Sequence, residues 1–406
     1  HTCSTYVNYL ESSRKGIPKM SKILEVRNPM NGELVGSLPL SGGAEIEAMI
    51  RKAAQAKILW ANTPLYQRAE IIYKYCELVT QHTEDIARTL SLEMGKPIAQ
   101  SRDEVGGTAR LARGFVERAN HLYGQQIPTG NQPGSENDVI FTMREPLGVM
   151  VCVIPFNYPV DLFTHKVAPA LIMGNPVVVK TPKFGRLLHQ PLLPAFAASF
   201  PPGVVNFLSG AGSELIGPIM KSGRVNALAF IGSSRVAGIL KHQHPQPHRM
   251  RAILGLDAKN PALVLPDADL DLAVKECVTG SLSFNGQRCT ALKILFVHRS
   301  ILDAFLDKFC AAVNALPIGM PWDKDVKLTP LPEFNKTQSL AAYVEDALAK
   351  GGRLEGDENR QRQGLSGLRR QVGQPQFRNE QRKVRVDRAH RSQVSANGLD
   401  AATQCL

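Results

Sequence analysis

The segment FNGQRCTALK, residues 284–293, contains the cysteine with the strongest chemical setting in the chain. Cys289 directly follows Gly286-Gln287-Arg288 and therefore lies beside a flexible residue and a cation. The thiolate is the nucleophilic form of cysteine, and nearby positive charge lowers the pKa of a thiol. This setting predicts that Cys289 is a nucleophile rather than a small buried apolar residue. Arg288 could assist the thiolate, although a structural ion pair is its expected role.

Other candidate functional residues follow apolar segments. Lys180 ends the segment NPVVVK, and Gly232 follows VNALAFI and opens GSSRVAG. Parallel sheets bind ligands beyond the carboxyl ends of their strands, and a glycine turn that opens a helix offers amide groups to a diphosphate. The glycines do not match GxGxxG, and GAGSELIG at 210–217 also has the wrong spacing for a dinucleotide motif. These residues predict a nucleotide site without identifying the nucleotide.

The elements that position these residues alternate between strands and helices. Apolar residues at three-and-four spacing predict helices over 44–123, and turn-rich sequence over 125–148 carries short strands. From residue 149 onward, continuous apolar strands alternate with helices. This pattern predicts an α/β fold with a parallel sheet that is covered on both faces.

Four segments, taken together and in order, resemble the aldehyde dehydrogenase superfamily. They are VIPFNYPVDLFTHKVAPALIMGNPVVVKTP, FIGSSRVAG, KNPALVLPDADLDLAV and FNGQRCTALK. The resemblance covers about residues 22–350 and is nearest to the branch of non-phosphorylating glyceraldehyde-3-phosphate dehydrogenases. It implies a dinucleotide-binding domain plus an α/β catalytic domain. It also implies that NAD(P) accepts electrons from a small-molecule aldehyde through a thiohemiacetal and thioester on Cys289.

The resemblance assigns roles to individual residues. Asn157 matches the residue that donates to the oxyanion, and Lys180 matches the one that binds the adenosine ribose. Lys183 replaces a glutamate that would repel a 2′-phosphate, so NADP is favoured over NAD. The other cofactor-binding positions that the resemblance implies are Ile154, Pro155, Phe156, Gly232, Ser233 and Gly238.

The chain departs from the family pattern at the residue that activates water. The family carries a Glu before Leu-Gly-Gly, whereas this chain reads ILGLDAKNP and has Gly255 at that position. Asp257 is the nearest carboxylate, and on a strand it would face the same side as residue 255. Asp257 could therefore act as the base through a water molecule. A solvated or ion-paired Asp257 is the alternative.

The ends of the chain carry a different character. Residues 1–20 lack an apolar signal core and are expected to be a disordered extension that precedes a start at Met20. Residues 354–406 form an Arg/Gln-rich tail, which we interpret as truncated or frameshifted sequence that replaces the family's C-terminal strands. Family members form homo-oligomers through those strands. The dinucleotide-binding domain is expected at 21–253 and a partial catalytic domain at 254–353.

Composition excludes several other classes of protein. The formal charge is +12, but nine arginines lie within residues 360–391, so no basic nucleic-acid surface is predicted for the rest. No segment approaches the roughly 18 apolar residues of a membrane span. The seven cysteines are scattered and lack CxxC pairs, which predicts a reducing cytoplasm and no metal site.

Three alternatives to the oxidation of an aldehyde to a carboxylate stay open. Without a hydrolytic base, the thioester could pass to a thiol such as coenzyme A, as in an acylating dehydrogenase. The chain could also be an inactive dinucleotide-binding member of the family. A nucleic-acid binder that uses the tail is the third, and it would show steeply salt-dependent binding.

Overall fold

The computed structural model describes residues 23–122, 124–130, 133–333 and 336–355, which form two compact units. One unit contains residues 23–28 and Glu33–Ala258, and the other contains Pro29–Gly32 and residues 259–355. The expected N-terminal extension lies outside the described residues, as does the expected tail beyond residue 355.

The first unit begins with a pair of strands, and the helices that the apolar periodicity predicts follow it. Its first elements are β1 (Ile23–Arg27), β2 (Leu34–Pro39), α1 (Gly43–Asn62), α2 (Leu65–Gln81), α3 (Thr83–Met94), α4 (Ile98–Ala119), β3 (Gln126–Ile127) and β4 (Ile140–Phe141). The buried residues Ile46, Ile50 and Ala53 of α1 recur at three-and-four spacing and so share one face. Helix α3 ends at Gly95, whose left-handed φ of 70° suits a residue without a Cβ.

A five-stranded parallel sheet forms the centre of this unit. Its elements are β5 (Met150–Val153), α5 (Pro159–Ile172), β6 (Val177–Lys180), α6 (Leu193–Ser199), β7 (Val205–Leu208), α7 (Gly212–Lys221), β8 (Ala227–Ile231), α8 (Ser234–Gln243) and β9 (Arg251–Gly255). The strands lie in the order β7-β6-β5-β8-β9, and all neighbours are parallel. The predicted doubly covered parallel sheet is confirmed.

Helices cover both faces of the sheet. Leu208 of β7 packs in the core that α1, α7 and α8 share with the sheet. The adjacent residue Phe207 faces the other side, because side chains alternate along a strand. There it contacts Phe163 of α5 and Phe196 of α6, with ring centroids 6.0 Å and 5.6 Å away. Every residue of β6 is buried, which explains the uninterrupted Val-Val-Val run.

The entry into the central strand β5 requires a glycine. Gly148 has φ of 119°, and a Cβ there would lie 2.3 Å from Asn226 Oδ1. This close approach lets Asn226 Oδ1 accept a hydrogen bond from the Val149 amide at 3.0 Å. Asn175 Oδ1 accepts one from Gly148 itself at 2.9 Å. The side-chain amides of Asn175, which is buried, and Asn226, which is half-buried, therefore fix the start of β5.

The second unit contains a strand-helix-strand crossover. It includes β10 (Pro261–Val264), α9 (Leu270–Leu282), β11 (Ile294–Val297), α10 (Leu302–Asn314) and α11 (Lys336–Ala349). Strands β10 and β11 are parallel, and α9 packs against α10 around Val274, Phe305 and Phe309. None of the helices among the described residues has both the length and the apolar character needed to cross a membrane.

The buried histidine His189 predicts acid sensitivity. Its ring lies against that of Phe163, tilted by 39° with centroids 4.1 Å apart, and no described residue bonds its Nε2. Burial lowers the pKa of His189 to about 3. The unfolded chain takes up this proton near pH 6.5, so the free energy of unfolding falls as pH drops from about 6.5 towards 3.

We expect His189→Phe to remove this part of the pH dependence. Urea unfolding at pH 7.5 and 5.5 measures it, and the wild-type protein should lose about 1.4 kcal/mol more than the variant between these values. Equal losses in the two proteins would show that His189 is not held neutral.

Candidate active site

The residues predicted to bind a cofactor lie where three strands of the sheet end. Ile154, Pro155 and Phe156 follow β5, Lys180 ends β6 with Lys183 beyond it, and Gly232 and Ser233 follow β8. These strands are parallel neighbours, so their carboxyl ends lie at one edge. Gly238 is different, because it lies inside α8, where an added Cβ would meet no atom within 4 Å. Among the described residues, nothing therefore requires glycine at this position.

A buried ion pair fixes the backbone around Asn157. Lys96 follows α3, and its ammonium lies 2.5 Å from Glu104 of α4, with both side chains fully buried. The same ammonium donates to the Asn157 carbonyl at 3.2 Å and lies 3.5 Å from the ring centre of Tyr158. Burial raises the pKa of Glu104, and the charge of Lys96 opposes that shift. Three separate interactions thus converge on one lysine.

Glu104 also fixes the start of α5. Its Oε1 accepts hydrogen bonds from the amides of Val160 at 2.9 Å and Asp161 at 3.2 Å. A carboxylate is favourable there because the first amides of a helix lack partners within the helix. The turn between β5 and α5 is therefore held from both ends by the Lys96–Glu104 pair.

The side chain of Asn157 has an acceptor in use and a donor available. Its Oδ1 accepts from the Tyr158 amide at 3.1 Å. Among the described residues, none accepts a hydrogen bond from its Nδ2, and the residue is half-buried. This arrangement leaves an amide donor for a substrate oxygen, which is the chemistry predicted for Asn157.

A second buried carboxylate holds the loop that follows β6. Glu93, at the end of α3, accepts from the amides of Gly185, Arg186 and Leu187 at 2.7–2.8 Å. Gly185 has φ of 81°, a left-handed conformation that favours glycine. Burial raises the pKa of Glu93 to about 7, and these three amides oppose the rise. The loop that carries Lys183 is thus shaped around one carboxylate.

Lys180 is a buried cation at the edge where the predicted cofactor would bind. Its side chain is 9% exposed, and among the described residues it makes no hydrogen bond or ion pair. Burial lowers the pKa of Lys180 to about 8, and the charge of Arg186 adds to this shift. A largely buried lysine whose ammonium lacks such partners among the described residues can bind hydroxyl or phosphate oxygens, so this residue fits a nucleotide.

Lys183 is exposed and lies beside aromatic rings. Its ammonium is 5.0 Å from the ring centre of Phe184, and Phe184 meets Phe156 edge to face at 6.1 Å. The loops after β5 and β6 are therefore in contact through their aromatic residues. The contact places the predicted cofactor residues Phe156 and Lys183 in one cluster.

The N-terminus of α8 already holds a carboxylate. Ser233 is the N-cap, and its Oγ accepts from the Val236 amide at 3.4 Å. Asp257 Oδ2 accepts from the Ser234 amide at 3.0 Å and from its hydroxyl at 2.7 Å. Strand β9 ends at Gly255, so Asp257 lies beyond the strand. The expectation that residues 255 and 257 share one side of a strand is therefore wrong.

Cys289 lies in the second unit, exposed, on a turn held by two side chains. Asn260 Nδ2 donates to the Cys289 carbonyl at 2.6 Å and to the Ala291 carbonyl at 3.1 Å. Lys293 Nζ donates to the carbonyls of Arg288 at 3.1 Å and Ala291 at 2.8 Å. The charge of Lys293 also interacts with Cys289. The cation that anchors the turn around Cys289 is thus Lys293, which follows the cysteine in the sequence.

Arg288 has a different role from the one expected. Its guanidinium donates to the carbonyls of Thr279 at 3.3 Å and Gly280 at 3.1 Å, in the last turn of α9. Cations stabilise these carbonyls because they carry the negative end of the helix dipole. Among the described residues, Arg288 has no carboxylate partner, so the expected ion pair is wrong.

The turn before Cys289 is strained. Phe284 and Asn285 have φ of 49° and 54°, a left-handed conformation that costs about 1–2 kcal/mol per non-glycine residue. The Asn285 side chain offsets this cost by pairing with the Thr329 backbone, donating at 2.7 Å and accepting at 3.1 Å. Such strain often marks a functional position.

Three buried charged residues of this site were missed in the sequence analysis: Glu93, Lys96 and Glu104. Glu93 and Lys96 flank the helix end at Gly95 in LEMGKP, and Glu104 lies one residue before the buried Val105. For Glu93 and Glu104 the signal was a charge on the apolar side of a predicted helix, and Lys96, which lies between two helices, carried no such signal. Neither the pairing of Lys96 with Glu104 nor the amides that they bind could be deduced from that signal.

Comparisons with known proteins agree on one family. The model of the aldehyde dehydrogenase family matches residues 17–368. The NADP-dependent glyceraldehyde-3-phosphate dehydrogenase of Streptococcus equinus is 35% identical over 352 residues, which are 86% of this chain and 72% of the relative. The glutarate-semialdehyde dehydrogenase of Pseudomonas aeruginosa is 32% identical over 335 residues, 82% of this chain and 68% of the relative.

A solved structure gives the same result for the fold. The NADP-dependent glyceraldehyde-3-phosphate dehydrogenase of Bacillus halodurans C-125, complexed with NADP, matches with a TM-score of 0.77 and 30% identity. The match covers 85% of this chain and 71% of that chain.

The Lys96–Glu104 pair predicts a large loss of stability when one partner is removed. Lys96→Met leaves Glu104 buried without its counter-ion and releases the Asn157 carbonyl. We expect the free energy of unfolding to fall by about 3–5 kcal/mol in urea titrations. Arg102→Met is the control, because it breaks an exposed pair with Glu84 and should cost under about 1 kcal/mol. Similar losses in the two variants would contradict the prediction.

Proposed function

The chain belongs to the aldehyde dehydrogenase family, and we propose that it oxidises a small aldehyde to a carboxylate with NADP+ or NAD+, preferring NADP+. The observation that carries this proposal is the exposed Cys289 on a strained, doubly anchored turn. The four other cysteines among the described residues are buried or half-buried, so Cys289 is the accessible nucleophile among them.

The proposed reaction begins with attack by the Cys289 thiolate on the aldehyde carbon. A carbon–sulfur bond forms, and the carbonyl oxygen becomes an oxyanion, for which Asn157 Nδ2 is the proposed donor. A bound nicotinamide ring would supply the hydride acceptor, so that the carbon of the thiohemiacetal on Cys289 would lose a hydride and become the carbonyl carbon of a thioester. Water then replaces the sulfur, which releases the carboxylate and restores the thiolate.

The residues at the sheet edge fit the adenosine half of the cofactor. Lys180 is a largely buried lysine at the end of β6, and Lys183 lies in the adjoining loop that Glu93 holds. We propose that Lys180 binds the adenosine ribose and that both lysines attract a 2′-phosphate. The relative from Streptococcus equinus is named as NADP-dependent, which supports this preference. Ile154, Pro155, Phe156, Gly232 and Ser233 are the remaining proposed contacts.

The carboxylate proposed as the hydrolytic base is held by Ser234. Gly255 has no side chain, and Asp257, our proposed base, would have to release Ser234 before it could activate water. The same observation favours a second candidate function, transfer of the acyl group from Cys289 to a thiol. Assays with and without coenzyme A distinguish hydrolysis from acyl transfer, because only acyl transfer releases a thioester of coenzyme A as its product.

We also propose a cytoplasmic homo-oligomer. The five cysteines among the described residues are all free, which suits a reducing compartment. The short pair β3–β4 exposes Ile140 and Phe141, whose side chains are 45% and 67% exposed. Exposed apolar residues on a short sheet edge support association with another copy.

Replacement of Cys289 tests the proposed reaction. Cys289→Ala should abolish aldehyde-dependent reduction of NADP+, followed at 340 nm, across a panel that includes glyceraldehyde 3-phosphate, glutarate semialdehyde and succinate semialdehyde. Cys310→Ala, which alters a half-buried cysteine, should retain activity. Activity above a few per cent in the Cys289 variant would overturn the assignment.

Replacement of Lys183 tests the preference for NADP+. At about 4 Å and an effective dielectric near 20, one such contact is worth up to about 4 kcal/mol before desolvation, so a net preference of about tenfold is expected. Lys183→Glu should reverse the order of the dissociation constants for NADP+ and NAD+, measured by calorimetry.

Lys221→Glu, at the opposite end of α7 from Gly212, serves as the charge control and should leave the order unchanged. If wild-type protein bound the two dinucleotides equally, the role of Lys183 would have to be abandoned.

A further inference from the structure

The N-terminus of α8 is the place where this chain fits a dinucleotide least well. The proposed function puts the diphosphate of the cofactor against the turn of Gly232 and Ser233, because helix N-termini bind anions. In the structure, Asp257 Oδ2 is already there and accepts both the amide and the hydroxyl of Ser234. An anionic side chain thus uses donors that an anionic ligand would need.

Few donors are left at this helix end. Of the first three amides of α8, Ser234 donates to Asp257 and Val236 donates to Ser233 Oγ. Among the described residues, only the amide of Arg235 in this turn lacks an acceptor. A diphosphate would therefore find one available amide, that of Arg235. The neighbouring amide of Ser234 is already bound to the negatively charged carboxylate of Asp257.

The carboxylate reaches this position from the adjacent strand. Strands β8 and β9 are parallel neighbours, and the Gly232 amide donates to the Gly255 carbonyl at 3.1 Å, so the two strand ends are tied together. Asp257 follows two residues later.

We propose that Asp257 is an internal competitor that occupies the diphosphate position at α8 and weakens dinucleotide binding. The inference rests on the proposed function and adds that the affinity of this chain for its dinucleotide is limited by Asp257. Binding of the dinucleotide must displace Asp257 from Ser234, and repulsion between the two anions adds to the loss of two hydrogen bonds. The effect is the same for NAD+ and NADP+, because both contain the diphosphate.

Calorimetric titration of the full chain with each dinucleotide tests the proposal. Asp257→Asn removes the charge, and Asp257→Gly removes the side chain; both should lower the dissociation constants for NAD+ and NADP+ by about tenfold. The ratio of the two constants should not change. Glu117→Gln, which removes an exposed charge from α4, should have no effect.

A merely structural role for Asp257 predicts the opposite result. A carboxylate at a helix N-terminus stabilises the helix, so Asp257→Asn should lower the free energy of unfolding in urea. If Asp257 only supported α8, its loss would loosen the binding site and raise both dissociation constants. Tighter binding by a less stable protein is therefore the expected signature of a competitor.

Unchanged or weaker binding in both Asp257 variants would overturn the proposal, and so would failure of every variant to bind either dinucleotide. The proposed function is judged separately. Labelling of Cys289 by iodoacetamide, and its loss after preincubation with an aldehyde substrate, reports on the nucleophile without any dinucleotide. If Cys289 reacts as proposed but the Asp257 variants bind the dinucleotides as the wild-type protein does, the role of Asp257 as a competitor is rejected and the proposed function stands.

Discussion

The buried contact between Lys96 and Glu104 is the constraint on which the proposed cofactor edge depends. Removing two charges from water is unfavourable unless each finds good partners. Lys96 and Glu104 satisfy that condition by binding each other, the Asn157 carbonyl and the first amides of α5. Because the two buried charges are stable only with these partners, they fix the turn between β5 and α5, which carries Asn157.

Glu93 extends the same arrangement to the neighbouring strand. It lies at the end of α3, close in sequence to Lys96, and its carboxylate gathers three amides of the loop after β6. One short helical connection thus shapes the loops after both β5 and β6. The proposed binding residues Ile154, Pro155, Phe156 and Lys183 lie on these loops, whereas Glu93, Lys96 and Glu104, which shape the loops, lie outside the sheet.

The sequence predicted the sheet well because its signals are local. The run VVVK became β6, and Gly148 marks the break before β5 as expected. The partners of charged residues were not predictable, because Lys96 contacts a residue far along the chain, Asn157. The position of Asp257 beyond the strand was not predictable for a related reason: where β9 ends is decided by pairing with β8 and not by the residues of β9 alone.

The strand order has a consequence for how the chain folds. Central strand β5 pairs with both β6 and β8, so Met150 lies beside Val177 on one side and Ala227 on the other. Helices α1 and α2 also depend on later sequence for hydrogen-bond partners, since Trp60 and Arg68 donate to the carbonyls of Leu171 and Ile172. During synthesis, the first half of this unit therefore emerges with apolar surface that only later residues can cover. Long-range pairing of this kind slows folding and prolongs the exposure of that surface, so the partly synthesised chain is open to aggregation until the later strands have been made.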